Sequence, residues 1–115
     1  MYETVENLLG TVKIGGRAVP FKHMKFTDKS LLYIVYTLMP ETPAICADDA
    51  AKVSVVQLDI DIYAKNRGNL TETIGAVKET FINAGWSWAE DSPDLFEDDT
   101  GYLHKTITFE IERSL

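Results

Sequence analysis

The stretch of sequence that decides the fold is residues 53–63, VSVVQLDIDIY. Apolar and polar side chains alternate along it, which is the period of a β-strand with one face buried. The apolar face carries Val56, Leu58, Ile60 and Ile62. The polar face carries Gln57, Asp59 and Asp61. The pattern predicts a long strand whose apolar face packs against a second layer of structure.

An amphipathic helix is predicted directly after this strand, between a turn at residues 66–69 and Gly85. Asn69 and Glu72 have the spacing of a capping box, which predicts Asn69 as the N-cap. Gly85 follows as a C-terminal residue of left-handed conformation. The apolar positions fall within about 80° on a helical wheel: Leu70, Ile74, Val77, Phe81 and Ala84.

Three further segments are typical of strands. Residues 31–39 are apolar almost throughout, which predicts a strand covered on both faces. Residues 86–88 place two indoles on one side of a short strand, and residues 102–112 alternate again. We therefore expect an α+β fold, with one amphipathic helix packed on a mainly antiparallel four-stranded sheet.

The N-terminal region reads as an extension of this core. Residues 2–9 predict a short helix, and Gly15-Gly16 lies between two short β-like runs, which predicts a hairpin. We expect a single α+β domain over 1–115, with a helix and hairpin extension at 1–30 and a core at 31–115. Residues 40–52 are interpreted as a long loop, of the kind that is functional or becomes ordered on assembly.

Composition limits the class of protein. The chain has 115 residues, is 45% hydrophobic and carries a net charge of −7, which argues against general phosphate binding. Cys46 is the one cysteine, so an intrachain disulfide is excluded. No apolar run approaches the roughly 20 residues that cross a bilayer, and no signal peptide is visible. We expect a soluble intracellular protein.

The charge is unevenly distributed. Residues 11–30 contain five bases and one acid, whereas residues 90–99 contain six acids and no base. On a monomer these segments can be two solvated faces. In a head-to-tail ring they could meet at each subunit boundary. The candidate interface residues are Lys13, Arg17, Lys22, Lys25, Lys29, Asp94, Glu97, Asp98 and Asp99.

Known catalytic and cofactor patterns do not fit this sequence. The acids at 90–99 do not follow calcium-loop spacing, although clustered carboxylates could bind Mg²⁺ or Ca²⁺ weakly. Asp59 and Asp61 could be read as paired catalytic carboxylates, but the polar face of a strand explains them better. His23, His104 and Cys46 make a poor metal set. We expect no catalytic, cofactor-binding or metal-binding residues, and no enzymatic activity.

Three parts of the sequence resemble the tail terminator, or tail completion, proteins of long-tailed bacteriophages and prophages. One is the apolar strand around Tyr33-Ile34-Val35-Tyr36. Another is VQLDIDIYAK at 56–65, followed by a capped helix that ends in Ala84-Gly85-Trp86. The last is DLFEDDTGYLHK at 94–105, which runs into the final strand. The resemblance covers most of residues 31–112 and leaves the N-terminal 30 residues unmatched.

This resemblance implies a structural virion-assembly protein. Copies would form a ring, typically a hexamer, on the head-proximal end of the tail tube. The ring would stop tube polymerisation and join the head connector or completion protein, so its partners would be itself, the major tail tube protein and that connector. Genome DNA would pass through without sequence-specific contact, and no membrane would be involved. The protein would occur in the host cytoplasm during assembly and then in the virion tail.

Other functions fit the same residues. A different small tail or connector protein of the same particle is one. A small dimeric regulatory or ligand-binding module is another, from a different class. A small enzyme that uses Asp59 or Asp61 is the third.

Overall fold

The strand predicted from residues 53–63 runs through the middle of the sheet. The computed structural model describes residues 1–25, 30–47 and 50–114. The central strand lies between two long antiparallel neighbours, and its apolar face is buried, as predicted. The elements in chain order are α1 (Tyr2–Leu9), β1 (Lys13–Ile14), β2 (Arg17–Ala18), β3 (Phe21–His23), β4 (Leu32–Leu38), β5 (Thr42–Ala47), β6 (Ala50–Ala64), α2 (Arg67–Asn83), β7 (Ser87–Asp91), β8 (Leu95–Phe96) and β9 (Leu103–Ser114).

The main sheet has seven strands among the described residues, so the prediction of four is wrong. Its order is β3-β4-β6-β9-β7, with β5 also paired to β6 and β8 also paired to β9. All pairings are antiparallel except β3 with β4. The three unpredicted strands, β3, β5 and β8, carry no alternating pattern of their own. They form because longer neighbours offer unpaired backbone groups at an edge.

The prediction of a loop at 40–52 is also wrong. β5 and the start of β6 occupy most of that range and pair with each other, while residues 48–49 lie outside the described part of the chain. Pro43 lies within β5, where a missing backbone N–H is tolerated because, among the described strands, β5 pairs with β6 alone. The proline and the register shifts around Ile45 hide this strand from sequence analysis.

Two helices pack on the same face of the sheet, where one was expected. Val5 and Leu9 of α1 are fully buried in the same core as Phe81 of α2. The Tyr36 hydroxyl on β4 donates a 2.6 Å hydrogen bond to the Glu6 carboxylate on α1, which attaches that helix to the sheet. Phe81 stacks on Phe109 of β9 at a ring separation of 5.1 Å. The predicted N-terminal helix is confirmed, and it belongs to this core.

The start of α2 differs from the prediction by three residues. Asn66 is the N-cap: its backbone is extended and its side chain accepts a 2.8 Å hydrogen bond from the Asn69 backbone N–H. Asn69 is therefore inside the first turn. Because β6 ends at Ala64, the chain must enter the helix at once, and Asn66 is the first residue suited to capping it. Gly85 has a φ of +97°, as its predicted role requires.

The hairpin predicted at Gly15-Gly16 is confirmed. β1 and β2 form a separate two-stranded sheet, and both glycines have positive φ, as a tight turn of this kind requires. No helix in the described residues is long and apolar enough to cross a membrane.

Candidate interaction surfaces

Most residues of the two charged segments lie on different sides of the main sheet, but Lys25 and Glu97 line one cavity. The basic residues are on the β4 side: Lys22 is on the edge strand β3, and Lys13 and Arg17 are on the β1–β2 hairpin. Of the predicted acidic residues, Asp94 lies directly before β8 and Glu97, Asp98 and Asp99 lie directly after it, and β8 pairs with β9. Lys13, Arg17, Lys22, Lys25, Asp94, Asp98 and Asp99 are exposed, Glu97 is half-buried, and Lys29 lies outside the described residues. We call the two sides the basic edge and the acidic edge.

Part of the acidic edge is neutralised within the chain. The Asp91 carboxylate accepts 2.8 Å hydrogen bonds from Lys78 Nζ and Trp88 Nε1, and Lys105 Nζ lies 3.7 Å away. Burial acts to raise the pKa of Asp91, but these bonds and charges outweigh it and hold the pKa below its usual value. Lys105 also forms a 3.2 Å ion pair with Asp94. These contacts join α2, β7 and β9.

Asp98 and Asp99 remain unpaired within the described part of the chain. They lie in a turn that is fixed in place by its neighbours. Thr100 Oγ1 donates to the Glu97 carboxylate at 2.9 Å, and Lys65 Nζ donates to the Thr100 carbonyl. The two carboxylates are therefore presented to solvent by an ordered turn.

The face of the sheet opposite the helices carries a cluster of aromatic rings. Tyr63 stacks between Tyr33 and His104, at ring separations of 4.7 and 4.1 Å. Tyr102 meets Tyr33 and Tyr63 edge-on. Burial, reinforced by the Asp61 charge, raises the pKa of Tyr63 to about 12, and burial likewise raises the pKa of Tyr33. We call these four rings the aromatic cluster.

The carboxylates considered as a catalytic pair lie on this same face. Asp61 accepts a hydrogen bond from Thr106 Oγ1 at 2.5 Å, and its Oδ1 is 3.0 Å from His104 Nε2. Asp59 accepts from Thr108 Oγ1 at 3.0 Å. Each carboxylate is thus bonded to its cross-strand neighbour on β9, as the polar face of a sheet predicts.

The described residues contain no group of three or more His, Cys, Asp or Glu side chains placed to hold a metal ion. His23 lies far along the sheet from His104: it packs against Tyr36 at 5.0 Å, whereas His104 packs on Tyr63. Cys46 lies on β5.

Two apolar features were not singled out from the sequence. On the acidic edge, Leu95 and Phe96 form β8, with 48% and 61% of their surface exposed. On the basic edge, an open cavity of about 610 Å³ lies between the β1–β2 hairpin, the start of β4 and the first turn of α2. The signal in the sequence was the apolar pair Leu95-Phe96 inside an acidic run. The cavity has no such signal, because its walls come from three separate elements.

The two tryptophans have different environments. Trp86 is buried and meets Phe81 edge-on at 5.8 Å. Trp88 is half exposed, and Lys78 Nζ lies 4.0 Å above its ring.

No protein-family model matches this chain, and a search of curated proteins finds no match either.

Proposed function

We propose that this chain is a structural virion-assembly protein of the kind it resembles, a phage tail terminator or tail completion protein. Copies would form a ring that caps the tail tube and joins it to the head connector. One observation carries the proposal: Lys22 lies on the edge strand β3, whereas Asp94, Asp98 and Asp99 flank β8, which pairs with β9 on the other side of the central strand.

Opposite edges matter because of symmetry. An interface that joins two different patches of the same protein repeats from copy to copy, and it closes into a ring when the rotation per copy is right. Complementary charge favours the correct neighbour and speeds association. A twofold dimer would instead need a patch complementary to itself, whereas each edge here carries charge of mainly one sign.

The aromatic cluster supports the proposal from another direction. No described helix covers that face, yet Tyr33, Tyr63 and Tyr102 pack there with His104. Tyrosines of this kind suit protein interfaces, because each offers a large apolar ring and a polar tip. We assign this face to contact with the tail tube or connector. The net charge of −7 suits a bore through which DNA passes without adhering.

The test is native mass by light scattering across protein concentration, with and without Mg²⁺, together with electron microscopy of any large species. We expect ring-shaped oligomers whose formation weakens as salt rises, because salt screens exposed charges. Asp98→Lys combined with Asp99→Lys should weaken assembly.

Glu79→Lys is the control, since this acid is exposed on α2 and is not one of the acids that flank β8. Unchanged assembly of the double variant would contradict the proposed role of the charges. A tight dimer that is indifferent to salt would instead favour a small regulatory or ligand-binding module.

A further inference from the structure

The two apolar side chains of β8, Leu95 and Phe96, are exposed, and nothing in the rest of the described chain explains this. Trp88 is the other large exposed ring on this edge. Lys78 Nζ lies over its ring, and its indole N–H donates a hydrogen bond to Asp91. Phe96 has no ring partner within the described residues and is the more exposed of the two β8 side chains. Exposed apolar side chains grouped in a polar surround commonly mark an interaction site.

The position of Phe96 is well defined. β8 pairs with β9, so that Phe96 lies opposite Leu103. The turn that follows is closed by the Glu97 backbone N–H, which donates to the Tyr102 carbonyl at 2.9 Å, and by Lys65 on Thr100. An aromatic side chain on a strand whose backbone is fixed loses less conformational freedom on binding than one on a mobile segment, which favours affinity.

The cavity on the basic edge is suited to bind such a side chain. Its apolar lining includes Ile14, Val19, Pro20, Leu31 and Leu32. Its volume lies within the range of sites that enclose apolar groups. Leu31 is 71% exposed at the rim. Arg17 and Glu72 also line the cavity, and among the described lining residues Glu72 alone carries a charge that repels an acidic partner.

Strand register places the two features in one row. Leu32 pairs with Ala64, Ala64 with Leu103, and Leu103 with Phe96. Residues paired in this way point to the same face, so Phe96 and the Leu32 wall of the cavity share the helix side of the sheet. Three strand spacings, about 14 Å, separate them. A copy displaced sideways along this row would bring its Phe96 towards the cavity of its neighbour.

We propose that Phe96 of one copy inserts into the cavity on the basic edge of the next copy. Asp98 and Asp99, two and three residues after Phe96, then face Arg17 and Lys13 of the neighbour. Apolar burial supplies affinity, and the charge pairs select the head-to-tail orientation. This inference rests on the ring of the proposed function and names its subunit contact.

Two variants test the contact: one removes the inserted side chain, and the other blocks the cavity. Phe96→Asp removes the inserted ring and leaves the cavity intact. Leu31→Asp places a charge at the cavity rim and leaves Phe96 intact. Both sites are largely exposed, so both variants should fold, which circular dichroism and thermal unfolding check. Ile82→Asp is the matched control, because this side chain is 47% exposed on α2 and lies outside both features.

Sedimentation velocity across the soluble concentration range measures the outcome. We expect each blocked variant alone to associate at least about 30-fold more weakly than the wild-type chain, the scale of an interface hot spot. Ile82→Asp should associate like wild type. An equimolar mixture of the two blocked variants should form a heterodimer and stop there, because it retains one competent interface.

The outcomes separate this contact from the ring itself. If both blocked variants still form the rings that the wild-type chain forms, the Phe96 contact is overturned and the proposed ring is not. A wild-type dimer that both variants abolish supports the contact and overturns the ring. A wild-type chain that stays monomeric throughout, with no heterodimer in the mixture, overturns both.

Discussion

Asp91 holds the second helix to the outer strands, and its removal should destabilise the fold measurably. It accepts hydrogen bonds from Lys78 of α2 and Trp88 of β7, and it lies close to Lys105 of β9. In Asp91→Ala both bonds are lost, and two largely buried ammonium groups lose a shared counter-ion. Hydrogen bonds to charged groups contribute roughly 1.5–3 kcal/mol each. About a fifth of the Asp91 and Lys78 side chains is exposed, so solvent screening lowers that figure.

We expect Asp91→Ala to lower the free energy of unfolding by about 2 kcal/mol, which is a large part of the stability of a small domain. Asp91→Asn should lose about half of that, because an amide oxygen can still accept one bond. Urea denaturation followed by tryptophan fluorescence and by far-ultraviolet circular dichroism gives both values. The two signals should coincide if unfolding is two-state.

The pH dependence provides a sharper check. The folded-state pKa of Asp91 is depressed, so its contribution is full above the unfolded pKa and is lost as pH falls through the folded pKa. The stability difference between wild type and Asp91→Asn should therefore be constant from about pH 7 to pH 5 and shrink below about pH 4. A difference that does not change with pH, or an Asp91→Ala variant as stable as wild type, would refute the role of this carboxylate.

Two further predictions concern the helix cap and the aromatic cluster. Asn66→Ala should lower the free energy of unfolding by about 1 kcal/mol, whereas Asn69→Ala should cost clearly less; equal losses in urea denaturation would contradict the assignment of Asn66 as the N-cap. The Tyr63 phenol should ionise near its pKa of about 12, so stability that is present below the unfolded pKa of about 10 is lost as pH rises through the folded value. Because burial also raises the pKa of Tyr33 and Tyr36, Tyr63→Phe should reduce the late rise in phenolate absorbance by the amplitude of one tyrosine without removing it. An unchanged titration in that variant would count against the assignment.

Local pattern alone was enough to predict the elements that build the core. The alternation of residues 53–63, the spacing of Leu70, Val77 and Phe81, and the glycines at 15–16 and 85 each imply one conformation, because the periodicity or the backbone requirement lies within a few neighbouring residues. β4, β6, β9, both helices and the hairpin of β1 and β2 are accordingly present, although β6 begins at Ala50 and α2 begins three residues before its predicted start. The uneven charge was also readable from the sequence.

Tertiary structure decided the rest. β3, β5 and β8 have no pattern of their own and exist because longer strands offer them an edge. Trp86 and Trp88 look alike in sequence, but only the first has Phe81 beside it in the core. The cavity on the basic edge and its alignment with Phe96 depend on the register of four strands, from β4 through β6 and β9 to β8. That register is a property of long-range pairing, and no stretch of neighbouring residues contains it.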